Sequence, residues 1–219
     1  MRPWWLALPL SLLLPVAAAA QDAVRSDGAL SDRDFYRLVA CAATPGAACR
    51  KPLLKWEKPE VTVGIVTRTP PYLGGKMKRA EASVVRAAQR LTATGAGLRV
   101  VVTDRAPDIA IHLLDTLRGD VIAGSGTPLD GLTLANAITR LSVRGNRIEA
   151  AHVGFSRDMT IRQYESVMLE EILQALGLVT DIENPHYQTR SILSQNADNS
   201  LKRLGAQDEM ALRTHYPRN

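Results

Sequence analysis

Apolar residues along this chain switch between two spacings, and each switch marks an element. In SDRDFYRLVACAA (31–43), Phe35, Leu38 and Val39 form one stripe, Ser31 stands at an N-cap position and Asp34 in the first turn. That is a helix. VTVGIV (61–66) alternates and is β-branched, which predicts a strand. KMKRAEASVVRAAQRLTATG (76–95) returns to helical spacing, with Met77, Ala80, Val84, Ala88 and Leu91 on one face and Gly95 as the stop. LRVVVTD (98–104) and DIAIHLLD (108–115) read as strands, and the Gly-, Asp-, Ser- and Pro-rich residues 118–131 as a surface loop. AITRLSV (137–143) and RIEAAHVGFS (147–156) flank the turn signal Arg144-Gly145-Asn146. A helix is expected from Thr160 to Gly177, then a mostly irregular stretch over 181–206, then a short closing helix at 206–216 stopped by Pro217. This order predicts an α+β fold, a mixed sheet with helices packed on one side.

The N-terminus stands outside that pattern. MRPWWLALPLSLLLPVAAAAQ carries one positive charge, Arg2, then an apolar run, then small residues with Ala18 and Ala20 in A-x-A spacing. This predicts a signal peptide over 1–20, cut between Ala20 and Gln21, and a periplasmic or secreted protein. The alternative is an uncleaved anchor, but the run is short of the roughly 20 residues that a span needs. No Cys stands at the junction for lipid attachment. Residues 21–59 then form an N-terminal leader and helical extension, with 21–30 expected to be flexible, and 60–219 the main domain. No later stretch is apolar enough to cross a membrane. The net charge of +5, or +4 without Arg2, is spread along the chain and does not call for nucleic acid.

Export changes the reading of Cys41 and Cys49. In an oxidising compartment a disulfide is the default, and Pro45 and Gly46 between them can turn the chain back. A two-thiol metal site is the alternative, and it has no second ligand pair nearby.

In the helix at 160–176, Ile161, Met168, Ile172, Ala175 and Leu176 point one way, while Gln163, Glu170 and Gln174 cluster opposite. Glu171 falls near the edge of the apolar arc. On spacing alone this is an amphipathic helix with a solvated polar face.

EEILQALGLVTD (170–181) nonetheless resembles the metzincin zinc proteases, the matrixin-like ones in particular, whose signature is H-E-x-x-H-x-x-G-x-x-H followed by a Met-turn. The first His falls on Glu170, the Glu on Glu171, the second His on Gln174, the Gly on Gly177 and the third His on Thr180. SIL (191–193) resembles the Met-turn with Leu193 in place of Met, and QDEMALRTHYP resembles the closing helix. SDRDFYRLVAC, the second Cys, RIEAAHVGFS, EEILQALGLVTD and RSIL together resemble a bacterial exported family catalogued as domain of unknown function 2927. The resemblance implies a metzincin-like twisted mixed sheet with packed helices, preceded by a helix that the disulfide staples. It also gives structural roles to Gly177, Asp181, Ser191 and Leu193.

A zinc protease needs three good ligands and an open position for water. An amide oxygen and a hydroxyl are poor zinc ligands beside imidazole, and a glutamate without the ion has no activated water to use. Glu171 is therefore a vestigial catalytic residue, with no metal and no cofactor expected. His112, His152, His186 and His215 show no helical or hairpin ligand spacing, and each reads as a surface or partly buried polar residue. GSGTP (124–128) is a loop, since it does not join a strand to a helix as a phosphate loop does. The expected function is a catalytically inactive domain that binds an unknown protein or peptide of the cell envelope. Gln163, Glu170, Gln174 and Thr180 would line its groove, and the 137–156 hairpin would supply the edge strand. The rivals are a hydrolase built on Glu170 and Glu171, and a purely structural envelope protein.

Overall fold

The computed structural model describes residues 16–20, 22–195 and 200–218. The start of the expected signal peptide, residues 1–15, and Gln21 at the expected cut lie outside the described residues. The fold is α+β, with four α-helices and a six-stranded mixed sheet among the described residues. The strands are β1 (Val16–Ala20), β2 (Asp22–Arg25), β3 (Glu60–Arg68), β4 (Arg99–Val102), β5 (Ile109–Leu113), β6 (Ala137–Arg144), β7 (Arg147–Phe155) and β8 (Thr180–Glu183). The helices are α1 (Asp32–Cys41), α2 (Gly75–Ala93), α3 (Tyr164–Ala175) and α4 (Ala206–His215). The sheet order is β1-β6-β7-β5-β3-β4. Strands β4, β3, β5 and β7 run parallel, and β6 and β1 are each antiparallel to their neighbours.

Alternation divides the sheet into two faces. Val61 and Val63 of β3 and Ile109, Ile111 and Leu113 of β5 join α2 and α3 in one core. Phe35 and Leu38 of α1 and Leu54 and Trp56 after it belong to the same core, so residues 22–59 pack with the rest. The opposite face carries a small cluster in which the loop residues Ile122, Leu129 and Leu134 cover Leu114 and Ile138. Ser31 caps α1 by accepting from the Asp34 amide at 3.1 Å. The Cys41–Cys49 disulfide, Cα–Cα 5.1 Å, ties the end of that helix to the following loop.

Three expectations change. Residues 22–25 are not a flexible leader. They form β2, which pairs parallel with β8, and Val24 is buried. The 137–156 hairpin is not a free edge, because β1 pairs along β6 from Val16↔Val143 to Ala20↔Thr139. Finally, the helix expected from Thr160 begins at Tyr164. Gln163 folds the preceding turn by accepting from the Thr160 amide and hydroxyl, each at 2.9 Å, which leaves Ile161 exposed.

Candidate functional site

α3 is the central helix, in contact with α2, β6 and β7. It buries nearly its whole circumference, including Tyr164, Val167, Met168, Leu169, Ile172 and Leu173. The expected wet face is therefore absent around Gln174, which is 1% exposed. Leu169 and Leu173 precede Glu170 and Gln174, so apolar residues occupy every sector of the helix, and such a helix is buried. That full circle was visible in the sequence and outweighs the three polar positions.

The residues at the motif positions meet in this interior. Glu171 is 4% exposed and accepts from the Thr139 hydroxyl of β6 at 2.6 Å. Burial pushes its carboxyl up to about 8, against the Thr139 hydrogen bond and with help from the Asp181 charge. Gln174 donates its amide N–H to Asp181 Oδ1 at 2.7 Å. Burial raises Asp181 to about 6, while that hydrogen bond and the charge of Lys51 oppose the rise. Glu170 is only partly exposed. Burial of its carboxyl, then the nearby charges of Asp181, Glu171 and Asp208, hold it well above the usual range for a carboxylic acid. Gln174 Oε1 and Thr180 Oγ1 are buried without a hydrogen-bond partner. Gln163 stands apart. It precedes α3, and eleven residues at about 1.5 Å rise put it roughly 16 Å along the axis from Gln174.

Gly177, Ser191, Leu193 and Asp208 form the frame. Gly177 has φ +100° and packs its α-carbon against Leu54 and His215. Asp208 of α4 accepts from Ser191 Oγ at 2.6 Å and from the amides of Ile192 and Gly205 at 2.8 and 2.7 Å. Burial still raises it to about 6. Leu193 is fully buried, and its amide donates to Ser191 Oγ at 3.1 Å.

These residues do not fit a zinc ion. The three ligand positions offer a carboxylic acid held toward its neutral form, an amide whose nitrogen is bound to Asp181, and a hydroxyl. None is a strong zinc donor. Among the described residues, no group of three or more His, Cys, Asp or Glu could hold a metal ion. Glu171 faces Thr139 in the interior, and burial holds its carboxyl toward the neutral form.

Two of the histidines correct the expectation that all four are surface or only partly buried. His215 is fully buried between Leu54 O (2.8 Å) and the Tyr36 hydroxyl (3.2 Å), and burial pulls it down to about 4. His112 is 5% exposed and bonds Thr67 Oγ1 at 2.8 Å and His152 Nδ1 at 3.1 Å. The His112–His152 pair escaped the sequence because it depends on the β5–β7 register, in which Ala110 faces His152. His186 lies in the turn after β8.

A family model described as "Protein of unknown function (DUF2927)" matches residues 32–219. No curated protein matches. Among solved structures, that of myroilysin is similar at 18% identity and a TM-score of 0.42, covering 75% of this chain and 96% of that chain.

Proposed function

The chain belongs to the DUF2927 family of proteins of unknown function, and on that premise we propose that it is an exported, catalytically inactive, metzincin-like domain that binds an extended protein or peptide segment in the cell envelope. The observation that carries the reading is the coupling of α3 to β6. Glu171 at the motif's glutamate position is tied to Thr139 of the strand that has an added strand along its outer edge. A sheet edge that accepts one strand supplies the N–H and C=O groups for another, with no catalytic metal. The substitutions at Glu170, Gln174 and Thr180 remove zinc chemistry and leave that strand untouched. Among the described residues, no helix is long and apolar enough to cross a membrane. The protein works in the periplasm or outside the cell, as its leader suggests.

The test joins chemistry to binding. Elemental analysis of protein purified without chelators should find no stoichiometric zinc, and a peptidase screen should find no turnover. A displayed random-peptide library, selected against the chain beginning at Gln21, should yield binders that fail when alternate backbone amides are methylated. Zinc-dependent cleavage would overturn the inactive reading, and a library without binders would overturn the binding one.

A further inference from the structure

The two N-terminal strands lie in different sheets, and the expected cut falls between them. β1 ends at Ala20, opposite Thr139 of β6. β2 begins at Asp22, opposite Thr180 of β8. Thr139 donates to Glu171, and Thr180 precedes Asp181, so each strand ends or begins opposite a residue beside the buried carboxyl cluster. β2 is anchored. Val24 belongs to the main core, the Ser26 amide donates to Glu183 O at 3.2 Å, and Asn184 donates to Ser26 Oγ at 3.1 Å.

β1 is the outermost strand of its sheet and meets it through β6 alone. Its sequence, VAAAA, is small throughout. It is also the tail of the segment that a leader peptidase would remove.

We propose that β1 is a removable occupant: residues 16–20 fill the strand position along β6 while the leader is attached, and cleavage after Ala20 vacates it for an extended, alanine-rich peptide running antiparallel to β6. This rests on the groove reading above and adds its regulation and its ligand class. The removed segment defines the ligand, because Val16–Ala20 pairs at five consecutive positions, 139–143, without a bulky residue. Edge strands with unpaired backbone groups capture other chains, so a slot covered until export protects the unexported protein from wrong pairing. After cleavage β2 stays on β8, and the loss of β1 leaves β6 as the new edge.

Amide hydrogen exchange tests this on two forms, the full chain made without leader peptidase and the chain beginning at Gln21. In the full chain, amides across 139–143 should be protected. In the cleaved chain those that face outward should exchange at least about tenfold faster, while β7 amides keep their protection. Acetyl-Val-Ala-Ala-Ala-Ala-amide at millimolar concentration should restore protection over 139–143 in the cleaved chain alone, and its N-methylated analogue should not. Unchanged exchange on cleavage would show that β1 does not occupy the edge. Loss of β7 protection as well would make β1 a structural strand, not a removable one. A pentapeptide that fails to protect, beside library peptides that bind, would overturn the inference and leave the groove reading standing. Failure of both would remove the groove itself.

Discussion

Replacing Gly177 with Ala tests whether the motif glycine is a frame residue. Its φ of +100° lies in the region that side chains avoid, and a Cβ there would stand 2.1 Å from Leu54 O and 2.8 Å from His215 Nε2. Neither neighbour can yield freely. Leu54 O is backbone in the core, and it accepts the 2.8 Å hydrogen bond from His215. Left-handed backbone in a non-glycine residue costs about 1–2 kcal/mol. Breaking the Leu54–His215 bond leaves buried groups unsatisfied at about 1–3 kcal/mol. The loss should therefore be about 2–5 kcal/mol, a large share of a typical stability of about 5–15 kcal/mol. For a chain of this length each kcal/mol lowers Tm by about 2–4 °C. Gly46→Ala is the control, since Gly46 has φ +76° with nothing within 4 Å of its Cβ, and it should lose only the backbone part. Urea unfolding midpoints of both variants, read with the ring nitrogen shifts of His215, decide the matter. If Gly177→Ala lies within about 0.5 kcal/mol of Gly46→Ala, the close approach to Leu54 is not what requires glycine.

Two further predictions concern charge and crosslinking. A carboxylic acid whose folded pKa is raised stabilises the fold below its unfolded pKa and loses that contribution as pH rises through the folded value. Glu171, raised to about 8, should therefore make stability fall between about pH 4.5 and 8, by at most about 1.4 kcal/mol per pH unit per proton. Glu171→Gln keeps the neutral shape and should flatten this slope in pH-dependent urea midpoints; an unchanged slope would refute the assignment. Replacing Cys41 and Cys49 with Ser should cost about 2–3 kcal/mol by releasing a loop of sequence separation 8, measured as a lower Tm that reductant no longer affects.

Much of the sheet and helix order was legible because its spacing is local. β3, β6 and β7 alternate over part of their length, β5 is a short, wholly buried run, and α1 and α2 keep a stripe. What was missed depends on partners distant in sequence. DAVR and TDIE are too short and polar to read as strands, and only their mutual parallel pairing makes β2 and β8. VAAAA reads as the end of a leader and cannot also announce itself as a strand. Order and spacing mark the motif positions in the sequence, but their burial depends on the surrounding elements. Three polar residues on one arc outweighed Leu169 and Leu173 beside them, and the hydrogen-bond partners Thr139 and Asp181 sit on other elements.

The hydrogen bonds around α3 show how such a region stays ordered without strong metal donors. A metal held by residues from a helix and the chain after it would crosslink those segments. Here Gln174–Asp181 joins α3 to β8, Glu171–Thr139 joins α3 to β6, and Ser191–Asp208 joins the turn after β8 to α4. A cluster of acids this buried would repel itself if fully ionised. Burial raises Glu171 to about 8, Asp181 and Asp208 to about 6, and Glu170 well above the usual range, so the shift of the two glutamates toward the neutral form relieves part of that repulsion. A neutral acid is also a donor, which lets a site built from acceptors hydrogen-bond within itself. These three hydrogen bonds thus tie α3 to both β6 and β8, and the turn after β8 to α4.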